Sequence, residues 1–157
     1  MGRRIRRHSR LLPSIATSCY RGALSEGNCV TGESDNVRIV RDFCAAWRRR
    51  DTDELLGFFA ADAVYHNMPI EPLRGVDAIR DTVSAFVVPA EHIEFELLAI
   101  ASSGDFVFTE RVDRFTMMGK SIALPVAGVF EIRNGKIAAW RDYFDLQTWL
   151  RQTSPAS

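Results

Sequence analysis

The sequence predicts an α+β domain in which helices cover one face of a curved, mostly antiparallel sheet. Apart from one short strand, residues 35–88 repeat apolar positions at helical spacing. Residues 90–144, in contrast, read as long strands joined by tight turns. Helices gathered on one face of a curved sheet leave room for a pocket between the two layers.

Three helices are predicted in the first half of the domain. The first begins near Asp35, and its apolar residues recur every three to four positions as Val37, Val40, Phe43, Cys44 and Trp47. Asp51 or Thr52 caps the second helix, which has acidic residues in its first turn as the helix dipole favours. Gly75 opens the third helix, and Pro89 ends it.

Five strands are predicted, and a short helix over residues 145–152 closes the domain. Pro69 and Pro72 end the first strand, and Asn134-Gly135 is a strong signal for a type I′ hairpin before the last one. The predicted strands cover residues 63–68, 92–101, 105–116, 121–132 and 137–144.

Length and charge predict one folded domain with a basic extension before it. The chain has 157 residues, with 20 basic and 20 acidic side chains, so the overall charge does not indicate a nucleic-acid partner. We predict a disordered basic extension over residues 1–34, a catalytic domain over 35–152 and a tail over 153–157. A targeting or nucleic-acid-binding arm is the alternative for the extension.

The cysteines and the apolar runs bound the cellular setting. Cys19, Cys29 and Cys44 are odd in number and show no metal-binding spacing. We therefore expect reduced thiols in the cytoplasm. No apolar run approaches the ~20 residues of a membrane span, so no membrane-spanning segment is expected.

Polar side chains interrupt three of the apolar strands. Because a strand alternates its faces, Arg111 and Asp113 share one face, and Tyr65 and Asn67 share another. Asp142 lies on the apolar face of the last strand, where a carboxylate is costly unless it is paired. An arginine fork can bridge two carboxylates. These residues predict an enclosed site with two aspartates bridged by one arginine, although a surface ion pair is the commoner meaning of Arg111 and Asp113 alone.

The hairpin at Asn134-Gly135 predicts which residue faces Asp142. Counting back from Arg133 opposite Lys136 places Ala127 opposite Asp142. A small residue at that position would leave room for a ligand or a water molecule.

The preceding turn decides whether Arg111 and Asp113 join Asp142. A three-residue turn over 117–119 would place Arg111 opposite Pro125, on the shared face. A two-residue turn would point Arg111 away, because one residue of register reverses every side chain. The site therefore requires the three-residue turn or a bulge, for which Pro125 is a plausible position.

Three motifs together resemble the limonene-1,2-epoxide hydrolase family, within the nuclear transport factor 2-like and SnoaL-like superfamily. They are Tyr65-x-Asn67-x-Pro69, Arg111-x-Asp113 and Trp140-Arg141-Asp142-Tyr143-Phe144-Asp145, and the resemblance covers about residues 36–152. It implies a cone-shaped fold with a mixed, mostly antiparallel sheet, N-terminal helices over a deep pocket, and a homodimer. It also implies hydrolysis of an epoxide to a vicinal diol without a metal, a cofactor or a covalent intermediate.

The resemblance implies a role for each of five residues. Asp142 would be the general base that takes a proton from water, and Tyr65 and Asn67 would hold that water. Asp113 would be the general acid that protonates the epoxide oxygen. Arg111 would bridge the two aspartates.

Two other functions remain open on this fold. An isomerase or polyketide-type cyclase would use Asp142 to take a proton from carbon, and a non-catalytic module would only bind a small molecule. The apolar residues predicted around the pocket suit an apolar epoxide, but the fold alone does not choose among these functions.

Overall fold

The computed structural model describes residues 33–154, in which helices pack against a six-stranded sheet. Its α-helices are α1 (Asp35–Ala46), α2 (Thr52–Leu56), α3 (Val76–Val87) and α4 (Leu146–Thr153), and a 3-10 helix follows α1 at Trp47–Arg49. Its strands are β1 (Phe59–Asn67), β2 (Leu73–Arg74), β3 (Ala90–Ser103), β4 (Phe106–Met117), β5 (Lys120–Arg133) and β6 (Lys136–Tyr143).

The described range leaves out most of the predicted extension. Of residues 1–34, only Glu33 and Ser34 lie within it, and Ser34 caps α1 by accepting a hydrogen bond from the Val37 amide. The boundaries of the extension and of the tail stay predictions. None of the helices in residues 33–154 is long and apolar enough to cross a membrane.

The sheet is mixed and mostly antiparallel, which confirms the predicted fold class. Its strand order is β2-β1-β6-β5-β4-β3. All neighbours run antiparallel except β1 and β6, which pair in parallel. The sheet is open, because β2 and β3 form its two edges. The two-residue strand β2 follows Pro72 and was too short to be predicted.

Aromatic side chains fill the core between α1 and the inner face of the sheet. Phe43 of α1 is fully buried and makes edge-to-face contacts with Trp47, Phe59, Phe130 and Trp140, at centroid distances of 5.1–6.0 Å. Such contacts add to the free energy gained from burying the rings. This cluster fixes α1 over the strands that carry the polar residues.

Of the two turns considered between β4 and β5, the structure has the two-residue one. Met117 pairs with Lys120, so the turn has two residues, Met118 and Gly119, and Arg111 lies opposite Val126. Both turn residues have positive φ, 51° and 72°. A non-glycine residue seldom adopts positive φ, so the methionine gave no signal of a two-residue turn.

The predicted register between β5 and β6 is wrong near Asp142. Arg133 pairs with Lys136 as expected, and the two turn residues Asn134 and Gly135 have the positive φ that a type I′ turn requires. The pairing then shifts by one residue at Ala138. Gly128, rather than Ala127, therefore lies opposite Asp142.

The two effects on register cancel. The two-residue turn alone would have separated Arg111 from Asp142, but the bulge at Ala138 reverses the faces of β6 and returns Asp142 to the buried side. The required bulge therefore exists, although it lies in β6 and not at Pro125, which pairs regularly with Val112.

Candidate active site

A cavity of about 220 Å³ lies between the inner face of the sheet and the helices. Most of its wall is apolar, including Phe86 of α3 and Trp149 and Leu150 of α4. The hydroxyl, amide and carboxylate side chains that line it are Tyr65, Asn67, Asp113 and Asp142. Four of the five predicted site residues therefore line one cavity.

The fifth, Arg111, joins the two aspartates beneath the cavity. Its Nε and Nη2 donate to the two oxygens of Asp113 at 2.7 and 3.2 Å, and Nη2 also donates to Oδ2 of Asp142 at 2.5 Å. The three side chains are almost fully buried, with Arg111 1 % exposed, Asp113 4 % and Asp142 3 %. Buried charges persist only when they are paired in this way.

Neighbouring strands determine which of these side chains meet. Arg111 and Asp113 come from β4, and Asp142 comes from β6 across the intervening strand β5. Arg111 can span β5 because Gly128 lies between Thr109 and Asp142 in the sheet and carries no side chain.

Tyr65 and Asn67 enter the cavity from β1, on the other side of β6. The parallel pairing of β1 with β6 places Asn67 opposite Asp142 and Tyr65 opposite Trp140. The Tyr65 hydroxyl donates to Oδ1 of Asn67 at 3.0 Å, and its ring stacks on Trp140 at 4.1 Å. The two residues thus hydrogen-bond to each other beside the bridged aspartates.

Three further residues contact the bridge and were not assigned a place in it from the sequence. Trp140 Nε1 donates to Oδ1 of Asp142 at 2.6 Å, and Thr109 accepts from Nη1 of Arg111 at 3.2 Å. Gly128 is the third. Thr109 lies two residues before Arg111 on the same strand face, and a glycine inside a strand often marks a close approach of other atoms. These signals could have identified Thr109 and Gly128.

Burial and mutual repulsion favour the protonated form of the aspartates. Burial raises the pKa of Asp113 to about 7, Arg111 opposes this shift and the charge of Asp142 adds to it. Burial also raises the pKa of Asp142, against the hydrogen bonds from Arg111 and Trp140. The site therefore favours one proton for the two carboxyl groups near neutral pH.

The remaining polar groups of the site keep their ordinary charge. Burial alone would lower the pKa of Arg111, but the charges of Asp142 and Asp113 outweigh it and raise the pKa, so the guanidinium stays protonated. Burial and the nearby Asp142 raise the pKa of Tyr65 well above its usual value, so its hydroxyl stays neutral.

This arrangement can donate and accept protons in one enclosed space. One carboxylate can accept a proton from water while a protonated carboxyl group donates one to a substrate oxygen. Among residues 33–154, no three His, Cys, Asp or Glu side chains lie close enough together to hold a metal ion.

Comparison with known protein families gives one match over most of the chain. The family model for the limonene-1,2-epoxide hydrolase catalytic domain matches residues 34–155. Among individual proteins, the chain is similar to the epoxide hydrolase EphG of Mycobacterium tuberculosis. The two are 32 % identical over 109 residues, which cover 68 % of this chain and 71 % of that protein.

Solved structures give the same fold. A limonene-epoxide-hydrolase-like epoxide hydrolase from M. tuberculosis superposes with a TM-score of 0.67 and 29 % identity, over 75 % of this chain and 91 % of that one. A nuclear transport factor 2-like protein of unknown function from Burkholderia pseudomallei superposes with a TM-score of 0.70 and 21 % identity, over 78 % of this chain and all of that one. The second similarity establishes the fold alone.

The raised pKa of Asp113 predicts how the Asp113→Asn substitution changes the pH dependence of stability. An acid whose pKa is raised on folding stabilises the folded state most at low pH, and this contribution is lost as pH rises through about 7. The wild-type free energy of unfolding should therefore fall between pH 5 and pH 8 by roughly 2 kcal/mol more than that of Asp113→Asn, since one pKa unit corresponds to about 1.4 kcal/mol.

Urea unfolding of both proteins at the two pH values measures this difference. Asp105→Asn, at an exposed turn position, is the matched control and should follow the wild type. An equal pH dependence in the wild type and in Asp113→Asn would show that Asp113 has no raised pKa in the folded protein.

Proposed function

The chain belongs to the limonene-1,2-epoxide hydrolase family and is an epoxide hydrolase, and we propose that it converts an apolar epoxide to a vicinal diol by direct attack of water. The observation that carries this proposal is the bridge of two carboxyl groups by Arg111 at the wall of an apolar cavity. Opening an epoxide needs a nucleophile at carbon and a proton at oxygen. Two carboxyl groups that share one proton can supply a base and an acid together.

We assign the base to Asp142. It lines the cavity opposite Asn67 in the sheet, and Tyr65 lies two residues from Asn67 on the same face. Water held by Tyr65 and Asn67 would then lie within reach of the Asp142 carboxylate. The hydrogen bonds from Arg111 and Trp140 stabilise its charged form.

We assign the acid to Asp113. Its pKa, raised to about 7, keeps a proton available at neutral pH. Both of its oxygens accept hydrogen bonds from Arg111, which holds the carboxyl group in one orientation. Once the epoxide oxygen has taken the proton, the guanidinium stabilises the carboxylate that is left behind.

The contacts of Asp142 suit the role of a general base. Oδ1 accepts from Trp140 at 2.6 Å and Oδ2 accepts from Arg111 at 2.5 Å. Charge-assisted hydrogen bonds to both oxygens stabilise the carboxylate form. They also hold the carboxylate still, which suits proton transfer from a positioned water. Ring strain in the epoxide then allows opening in one step.

The substrate class follows from the cavity wall. Trp149, Phe86, Leu124 and Val126 present apolar surface around the carboxyl groups. Burial of an apolar substrate against such surface provides the binding free energy, and the few polar groups orient the epoxide. We therefore propose that the substrate is an apolar epoxide.

We also propose that the protein is located in the cytoplasm, on the basis of its cysteine count.

We also propose that the protein is a homodimer that associates through the outer face of the sheet. Leu98, Phe108 and Tyr143 are 56 %, 44 % and 45 % exposed. Phe108 pairs with Val129, and Tyr143 pairs with Ala127, on the face that points away from the cavity. Large apolar side chains clustered on one exposed face are typical of protein interfaces.

Single-turnover hydrolysis in ¹⁸O-labelled water tests the mechanism. With enzyme in excess over epoxide and with a chelator present, the diol of the first turnover should carry the label, because water attacks carbon directly. Unlabelled first-turnover diol would mean that an aspartate oxygen forms an ester, and this would overturn the mechanism.

Variants extend the same experiment. Asp142→Asn and Asp113→Asn should each lower kcat by about 10²–10⁴-fold, while the exposed Asp105→Asn should not. Asn67→Ala should impair hydrolysis, because the attacking water loses a partner. If a rearranged or cyclised product forms in place of the diol, and Asn67→Ala leaves its rate intact, the enzyme acts as an isomerase or cyclase.

The pH dependence of kcat/KM should be bell-shaped. Activity should decline as pH rises above about 7, because Asp113, whose pKa is raised to about 7, loses the proton that it donates. At lower pH activity should decline when Asp142 gains a proton. Initial rates corrected for uncatalysed hydrolysis give the profile, and a rate that stays constant well above pH 7 would exclude Asp113 as the acid.

Replacement of an apolar residue on the outer face should break the dimer. We expect Phe108→Glu to shift the protein from dimer to monomer in light scattering coupled to size exclusion, because a charge would be buried without a partner. Val88→Glu is the matched control, since Val88 is 79 % exposed beyond the end of α3. A monomeric wild-type protein, or a Phe108→Glu protein that stays dimeric, would contradict this interface.

A further inference from the structure

We propose that Thr109 and Gly128 are positioning residues that fix the Arg111 guanidinium and so hold the two aspartates in their reactive geometry. We call this pair the arginine seat. Its catalytic importance rests on the proposed function, but its effect on the carboxyl groups does not. The seat lies on the sheet side of the guanidinium, away from the cavity.

Gly128 leaves a hollow that the guanidinium fills. A Cβ atom built at Gly128 would lie 2.2 Å from Nη1 of Arg111, 2.6 Å from Oγ1 of Thr109 and 3.1 Å from Oδ1 of Asp142. The first two distances are far inside van der Waals contact, so alanine could be accommodated only by moving the arginine and the threonine. The backbone of Gly128 is not at positive φ, so this glycine is required for space and not for backbone conformation.

Thr109 holds the one nitrogen of Arg111 that makes no contact with the aspartates. Nη1 donates to Oγ1 of Thr109 at 3.2 Å, while Nε and Nη2 donate to Asp113 and Asp142. The Thr109 hydroxyl can in turn donate to the Gly128 carbonyl at 3.4 Å. Thr109 is 5 % exposed, so these hydrogen bonds are shielded from water. In such a buried environment each hydrogen bond contributes more stabilisation, and the loss of one costs more.

Two aromatic rings also lie against the guanidinium. The Cζ atom of Arg111 lies 5.0 Å from the centroid of Phe95 and 5.7 Å from that of Trp140. These distances are within the range of cation–π attraction. The guanidinium is thus held by hydrogen bonds from all three of its nitrogens and by contact with two aromatic rings.

The sheet register explains why the seat lies where it does. Thr109, Gly128 and Asp142 are direct neighbours across β4, β5 and β6. Arg111 lies two residues after Thr109 on the same buried face of β4, opposite Val126. Its side chain extends across Gly128 to reach Asp142. A side chain at Gly128 would block the path from Arg111 to Asp142, so the bridge between strands depends on this glycine.

Loss of the seat should loosen the arginine without removing its charge. With valine at position 109, Nη1 would be buried without a partner, and the guanidinium would turn to find one. Its contact with Asp113 and Asp142 would weaken. Since Arg111 opposes the rise in the pKa of Asp113, weaker contact should raise that pKa further.

Two measurements on Thr109→Val, Thr109→Ser and Gly128→Ala test this proposal. The first is the pH titration of the aspartate carboxyl carbons by ¹³C NMR in the ligand-free protein. Thr109→Val should move the titration of the Asp113–Asp142 pair to higher pH by up to about one unit, and Thr109→Ser, which keeps the hydroxyl, should restore it. Thr116→Val is the matched control on the outer face of the same strand.

The second measurement is epoxide turnover. We expect kcat to fall by about tenfold in Thr109→Val and by about 10²-fold in Gly128→Ala, with KM nearly unchanged, because the seat does not line the cavity. Thermal unfolding confirms that each variant is folded. Thr109→Val and Thr109→Ser decide the outcome if Gly128→Ala does not fold.

The outcomes separate the seat from the proposed function. A Thr109→Val protein with wild-type titration and wild-type kcat would overturn the seat, even if the wild type hydrolyses epoxides as proposed. A shifted titration in a protein whose wild type hydrolyses no epoxide would support the seat and contradict the proposed function. An equal shift in Thr116→Val would also overturn the seat, since it would show a general effect on the sheet.

Discussion

The cost of burying charge governs the architecture around Arg111. Arg111 is 1 % exposed, and the free-energy cost of burying its guanidinium in an apolar core would be prohibitive without compensating partners. Two carboxyl groups, a threonine hydroxyl and two aromatic rings provide it. All of these partners must reach one point on the inner face of the sheet. Three features of the sheet meet this requirement: the register of three strands, the bulge at Ala138 and the absence of a side chain at Gly128.

The same burial underlies the proposed chemistry. Burial raises the pKa of both carboxyl groups, which favours a shared proton near neutral pH, as the proposed acid-base mechanism requires. This arrangement is costly for the fold, because ionisation of the second carboxyl group is unfavourable inside the core. Functional sites commonly carry such a cost in stability. Here the aromatic cluster around Phe43 supplies packing beside the polar site.

The path from sequence to site depends on the two-residue period of β-strands. An error of one residue in register exchanges the buried and exposed faces. The turn at Met118 and the bulge at Ala138 each introduce such a shift relative to the expectation from sequence, and the two shifts compensate. The requirement that a buried carboxylate be paired therefore predicted the position of Asp142 more reliably than counting residues from the Asn134-Gly135 hairpin did.

Periodicity and motif spacing are local properties of the chain, and they were enough to predict the fold class and the five polar positions of the proposed site. Arg111 and Asp113 share a face by their spacing alone. The position of Gly128 opposite Asp142, and the hydrogen bonds of Thr109 and Trp140, became visible only in the folded protein. These contacts depend on a bulge that no local sequence pattern in β6 predicts. They also depend on the space that Gly128 leaves between the neighbouring strands.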